Sequence, residues 1–160
     1  MKGGNQNREI WGVHLLPPPI WKMEKRKKRG AFPPPISKIG KRGEEIVGAF
    51  LEERGFQILA RRWRWRGGEL DLVATDLEFL YIWEVKSSWS CRYNPVERIS
   101  PLKRTRLEEG ALLFREEFRD RFPGLFQWKF RQEGLSPLPI QIGGAGLCFQ
   151  QGLLYLTPLW

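Results

Sequence analysis

Apolar positions along this chain change their spacing several times, and each change marks an element. Residues 1–36 show no regular spacing. The prolines Pro17–Pro19 and Pro33–Pro35 interrupt the apolar stretches, and Lys25–Arg29 is a continuous basic run. Such a segment cannot bury a core, so a disordered, Pro-rich basic tail is expected over 1–36, with Met23 as an alternative start. From Ser37 a helical spacing predicts a helix through Gly55, with Ser37 as its cap and Ile46, Val47, Phe50 and Leu51 as its inward stripe. Three strand-like runs follow, Phe56–Trp65, Gly68–Ala74 and Tyr81–Ser87, rich in Leu, Val, Ile, Tyr and Trp. Trp89–Ile99 reads as a polar loop. Pro101 then opens a second helix running to Arg119, with Leu107, Ala111, Phe114 and Phe118 on one side. Phe126–Arg131 reads as a fourth strand, and 134–160 as an irregular C-terminal extension holding one or two edge strands. The order α-β-β-β-α-β predicts an α/β sandwich over 37–160, a mixed central sheet flanked by helices.

Two of the strand-like runs carry acids where core residues belong. GELDLVA (Gly68–Ala74) contains Asp71, and LYIWEVK (Leu80–Lys86) contains Glu84 and Lys86. An ionised side chain in a buried strand costs several kcal/mol unless it is paired. Side chains alternate along a strand, so Glu69, Asp71 and Val73 share one face of the first run, and Ile82, Glu84 and Lys86 share one face of the second. A hairpin around Thr75–Phe79 would bring two acids and a lysine to one patch. Hard carboxylate oxygens suit Mg²⁺ or Mn²⁺, and a divalent cation is the expected stabiliser of that charge. A buried ion-pair network between Lys86 and its acids is the bland alternative. On the first helix, Glu44 lies at the edge of the apolar stripe, where it can reach the sheet, whereas Glu45 points to solvent. Gly43 near the stripe centre would let the helix approach the sheet closely.

Composition narrows the class. The 160 residues suffice for one domain with a real core. Of the net charge of +9, residues 1–36 hold +6 and the remainder +3, so the basic excess is weak evidence that the folded part binds nucleic acid. Cys91 and Cys148 form no CxxC or zinc spacing, and reduced thiols in a cytoplasmic protein are expected. The single histidine, His14, falls in the tail, which excludes a His-based metal site or a Ser-His-Asp triad in the core. No signal peptide or membrane-spanning run is expected.

The Asp71…Glu84-x-Lys86 arrangement resembles the PD-(D/E)xK nuclease superfamily, with its restriction endonuclease-like αβββαβ sandwich. Gly40-x-x-Gly43-Glu44, Gly68-Glu69-Leu70-Asp71-Leu72, Glu84-Val85-Lys86, Pro95-x-Glu97 and Lys103 together resemble the bacterial YraN family, relatives of the archaeal Holliday-junction resolvases. The resemblance spans about half of the chain. It implies a metal-dependent nuclease with Asp71 and Glu84 as metal ligands, Lys86 as the catalytic lysine and Glu44 as an accessory acid. Three positions depart from the family pattern. Ser88 stands where an Arg is usual, Arg62 where an Asn is common, and FQWKF lacks an Arg-Phe-Asp signature. These bear on substrate contact and strand placement rather than on the acids.

Basic and aromatic positions suggest the partner. Arg62, Arg64 and Arg66 alternate with Trp63 and Trp65. The arginines read either as a row facing phosphates or as solvated charge, and the tryptophans either as base-stacking platforms or as core. Lys103 and Arg104 open the second helix, with Lys103 on its inward stripe and in reach of the acids. Trp89, Cys91, Arg92 and Tyr93 lie in the loop after Lys86. The expectation is a Mg²⁺- or Mn²⁺-dependent endonuclease acting on DNA, branched or single-stranded, and acting as a homodimer if it cuts junctions. A non-catalytic nucleic-acid-binding protein of the same fold and a structural protein with a buried ion network are the alternatives.

Overall fold

Helix α1 (Ile36–Glu53) buries Ile39, Gly43, Ile46, Val47, Phe50 and Leu51, the stripe expected from the spacing. It begins one residue before the expected cap. The Pro35 carbonyl accepts from Lys38 N and Ile39 N, so a main-chain group does the work assigned to Ser37. At the other end Gly55 takes a left-handed conformation (φ 86°) and Phe56 N returns to Leu51 O, which stops the helix. The computed structural model describes residues 10–17, 33–121 and 138–159.

Strands β2 (Gln57–Trp65), β3 (Gly68–Thr75) and β4 (Leu80–Ser88) form an antiparallel meander. A short 3₁₀ turn (Pro95–Arg98), capped by the Asn94 side chain, lies in the loop expected to be plain. Helix α2 (Pro101–Arg121) follows, with the Ser100 hydroxyl accepting from Lys103 N. It buries Leu107, Ala111, Phe114 and Phe118. Strand β5 (Ile140–Cys148) then lies parallel to β4, and β6 (Leu153–Pro158) pairs antiparallel with β5. With Gly12–Leu15 as β1, the six described strands run β1-β6-β5-β4-β3-β2 in one mixed sheet. One apolar cluster packs α1 against Leu72, Ala74, Tyr81, Trp83 and Val85. The other packs α2 and the 3₁₀ turn against Leu70, Val73, Leu80, Ile82 and Ile142. Alternate residues of β4, and of β3 from Leu72 to Ala74, serve opposite faces, but Leu70 joins Val73 on the α2 side, so the expected strict alternation along β3 breaks at Asp71. The whole is the α/β sandwich read from the sequence, consistent with a restriction endonuclease-like fold.

Three expectations need correction. The tail is not disordered throughout. Gly12–Leu15 form β1, paired with β6, and the flanking Ile10 and Leu16 are buried. Trp11 lies 5.2 Å from Trp83 and His14 4.9 Å from Phe50, so these apolar and aromatic side chains find partners invisible to a local window. The extension over 134–160 is not irregular edge material either, because β5 occupies the sheet interior. Its Gly143, Gly144 and Gly146 look like turn residues in sequence, but a Cβ on any of them would collide with Trp83, Val96 or Asn94 packed above. Finally, Cys91 and Cys148 are not free thiols. They form a disulfide with Cα atoms 5.8 Å apart. The β4–β5 register sets Ser88 beside Cys148, and Gln150 N donates to Trp89 O, which carries Cys91 back to its partner. The thiol argument for a cytoplasmic setting goes with it. The expected fourth strand, Phe126–Arg131, lies outside the described residues.

Candidate active site at a fork between two strands

Asp71 sits where β3 parts from β4 and where its pairing with β2 is interrupted. The β3–β4 ladder runs from Thr75 and Leu80 to Leu72 and Trp83 and goes no further. On the other side, β2 pairs Arg61 with Leu72 and Trp63 with Leu70, skipping Arg62 and Asp71. Arg62 has a left-handed φ of 49°, uncommon outside glycine, which marks the break. Beyond the fork the Asp71 carboxylate replaces the missing ladder bond, accepting from Val85 N at 2.8 Å. The expected convergence of Asp71, Glu84 and Lys86 is therefore present, at a point where the sheet opens.

Glu84 is 2% exposed, and cations hold both of its oxygens. Lys86 Nζ donates to Oε1 at 2.7 Å. Lys103 Nζ, from the first turn of α2, stands 3.1 Å from Oε2 as an ion pair without hydrogen-bond alignment, and donates to Glu69 O at 3.4 Å. The β5 residues beside Glu84 and Lys86 are Gly144 and Gly146. Their missing side chains admit Asn94 and Val96, so the 3₁₀ turn walls the site. Arg98 fastens that wall by donating to Ser87 O at 3.1 Å. Burial, and then the charge of Glu84, push the Asp71 carboxyl up to about 7, against the opposing Val85 hydrogen bond and Lys103 charge.

The remaining expected residues are placed differently. Glu44 is gripped by Arg62 through two bonds of 2.7 and 3.0 Å. Its charge is felt by Asp71, yet among the described residues no three His, Cys, Asp or Glu side chains are gathered closely enough to hold a metal. Arg62, held by Glu44, is thus engaged within the protein rather than waiting for phosphate. Arg104 donates to Leu159 O at 3.2 Å and so staples α2 to the chain beyond β6. Arg64 pairs with Glu69 yet is 74% exposed, and Arg66 is exposed in the β2–β3 turn. Trp63 and Trp65 stack on each other, with Trp63 edge-on to Phe114 at 5.3 Å, so both serve the packing of α2 rather than standing free. Sequence reading missed the walling role of Asn94, Val96 and Arg98. Its one available signal was the run of glycines in β5.

As a donor set the fork fits a hard divalent cation. Two carboxylates share it, and one is pushed toward its neutral form by burial and by the charge of the other. Asp71 and Glu84 would be the protein ligands, with water supplying the remaining donors, a ligand set that Mg²⁺ tolerates. Among the described residues no helix is long and apolar enough to cross a membrane.

Residues 43–126, which include every acid and lysine of the fork, match the family described as Uncharacterised protein family UPF0102. A UPF0102 protein of Renibacterium salmoninarum is 40% identical over 115 residues, covering 71% of this chain and 85% of its own length. Another from Arthrobacter sp. is 38% identical over 86 residues, 53% of this chain and 73% of its own. A third, from Anaeromyxobacter dehalogenans, is 45% identical over 74 residues, 46% of this chain and 55% of its own. With more than half of its length matched, and the fork inside the match, the chain belongs to the UPF0102 (YraN) family.

Proposed function

We propose that this chain is a Mg²⁺- or Mn²⁺-dependent endonuclease of the PD-(D/E)xK kind, hydrolysing phosphodiester bonds in branched or single-stranded DNA. The observation that carries this reading is the pair of carboxylates, half-buried Asp71 and buried Glu84, at the end of a strand ladder with Lys86 beside Glu84. Stability alone is poorly served by a second acid beside Glu84, since burial and mutual repulsion oppose its ionisation. A bound divalent cation supplies Lewis acidity toward a phosphoryl oxygen and toward water. Asp71 and Glu84 hold it. Lys86 Nζ, a third exposed at the mouth of the fork, orients the attacking water and offsets charge gathering on the phosphate. Glu44 serves as an accessory acid once Arg62 lets it go. Arg64 and Arg66, at the tip of the β2–β3 hairpin, contact the DNA backbone, and Lys103 and Arg104 add positive charge beside it. Paired cuts in a junction require two copies of the chain.

A second reading, a protein that binds nucleic acid without cutting it, is favoured by one observation: the two lysines already hold both oxygens of Glu84. Cleavage of labelled linear duplex, single strand, flap and four-way junction DNA in Mn²⁺ and in EDTA separates the two. Cutting in Mn²⁺ that disappears in EDTA, in Asp71→Asn and in Lys86→Ala is expected. Gel shifts without cutting would transfer support to the binding reading, and neither cutting nor binding would overturn both.

A further inference from the structure

We propose that Lys103 is an exchangeable counter-ion of Glu84, which competes with the divalent cation for the carboxylate and leaves it when the site is loaded. The inference rests on the metal-dependent reading above. Glu84 is almost wholly buried and is held by ammonium groups from two different elements. The two contacts are unequal. Lys86 lies two residues along the same strand and makes a hydrogen bond of 2.7 Å. Lys103 reaches across from α2, stands at 3.1 Å without hydrogen-bond alignment, and divides its charge between Glu84 and the Glu69 carbonyl at 3.4 Å.

A cation between Asp71 and Glu84 must take an oxygen of Glu84, and its two charges repel any ammonium beside it. Lys103 is the cation to yield, because its contact is the longer one and lacks hydrogen-bond alignment. Exposure does not choose between the two lysines, at 30% for Lys103 and 32% for Lys86, but it lets the Lys103 head group move into water without being stranded. Its backbone is held by the bond from its own N–H to Ser100 Oγ at 3.2 Å, so release requires only a side-chain swing. Before loading, Lys103 offsets the charge on Glu84. After loading, it becomes a free cation at the mouth of the fork, where an anionic phosphate arrives. Lys103 is thus a positioning residue, acting through Glu84 and not on the reacting atoms.

The test is Mn²⁺ binding by titration calorimetry at one fixed pH, for wild type, Lys103→Met, Lys103→Arg and Asp71→Asn, each first shown to be folded by circular dichroism. Lys103→Gln replaces the Met variant if that one does not fold. Removing the competing charge should tighten Mn²⁺ binding on the order of tenfold. Lys103→Arg keeps the charge and should bind as wild type does, an outcome that a packing role for the lysine would not produce. In EDTA, Lys103→Met should melt below wild type, because Glu84 has lost a counter-ion. Mn²⁺ binding that appears only when Lys103 is removed would also support the exchange. Equal or weaker binding by Lys103→Met, with wild type binding Mn²⁺ through Asp71, overturns the exchange and leaves the metal reading standing. Binding unaffected by Asp71→Asn, or absent from every variant, overturns the metal reading and the exchange with it.

Discussion

At the scale of single residues, Asp71 decides how this protein responds to pH. Its carboxyl titrates near 7 in the folded chain against 3.8 for an ordinary aspartate, so the folded state binds the proton more tightly than the unfolded one. The resulting stability is fully present below the unfolded value and is lost as pH rises through the folded one. Above that range Asp71 is ionised against burial and the charges of Glu84 and Glu44, relieved in part by Lys103, at a cost on the order of a few kcal/mol. Thermal unfolding in EDTA should therefore give a higher melting temperature near pH 5.5 than near pH 8, about 2.5 pH units apart on either side of the titration, and Asp71→Asn should raise the value at the alkaline end. A variant whose pH slope equals that of wild type would remove Asp71 as the cause. The acids were legible because charge inside an apolar run is conspicuous. Which arginines are spoken for was not, since the partners of Arg62 and Arg104 are 18 and 55 residues away.

At the scale of elements, close approach is what holds the site together. A Cβ at Gly43 would overlap Ser87 Oγ on β4, so α1 lies on the sheet only because that position is bare. Gly43→Ala should lower unfolding free energy by about 1–3 kcal/mol in urea, mainly by lifting α1 from the strand that carries Glu84 and Lys86. A variant as stable as wild type would mean that Ser87 can turn aside at no cost. On the other face, Trp63 packs edge-on to Phe114, and Trp63→Ala should cost about 2–4 kcal/mol while leaving any Mn²⁺ affinity intact. Loss of DNA binding with unchanged stability would instead restore the base-stacking role. The two helices and strands β2–β4 were readable to within a residue or two, because their spacing records which side chains are buried. Strand β5 was not, since Gly143, Gly144 and Gly146 are bare to make room for Trp83, Val96 and Asn94 from other parts of the chain.

For the whole molecule, two long-range ties close the fold. Strand β1 brings residues from before the first helix onto β6, and the Cys91–Cys148 disulfide spans 57 residues. That bridge anchors the loop leading into the 3₁₀ wall of the fork to the end of β5. Constraining a loop of this length in the unfolded chain stabilises the fold by about 4 kcal/mol, which reduction should remove in large part. Urea unfolding with and without a phosphine reductant measures it, and a Cys148→Ala protein should match the reduced wild type. Equal midpoints in both conditions would show that the bridge contributes nothing to stability.

The sequence by itself determined the helices, the β2–β4 meander and the identity of the acids and lysine at its fork. Local spacing records which face is buried, and an acid in an apolar run has few structural excuses. The family resemblance was legible for the same reason, being carried by those residues. Tertiary structure alone decided that a glycine-rich stretch is an inner strand, that part of the tail completes the sheet, and that the two cysteines meet. It also decided that Lys103, not a phosphate, faces Glu84. Each of these depends on groups far apart in the chain sharing one small volume, and no window of sequence holds both partners.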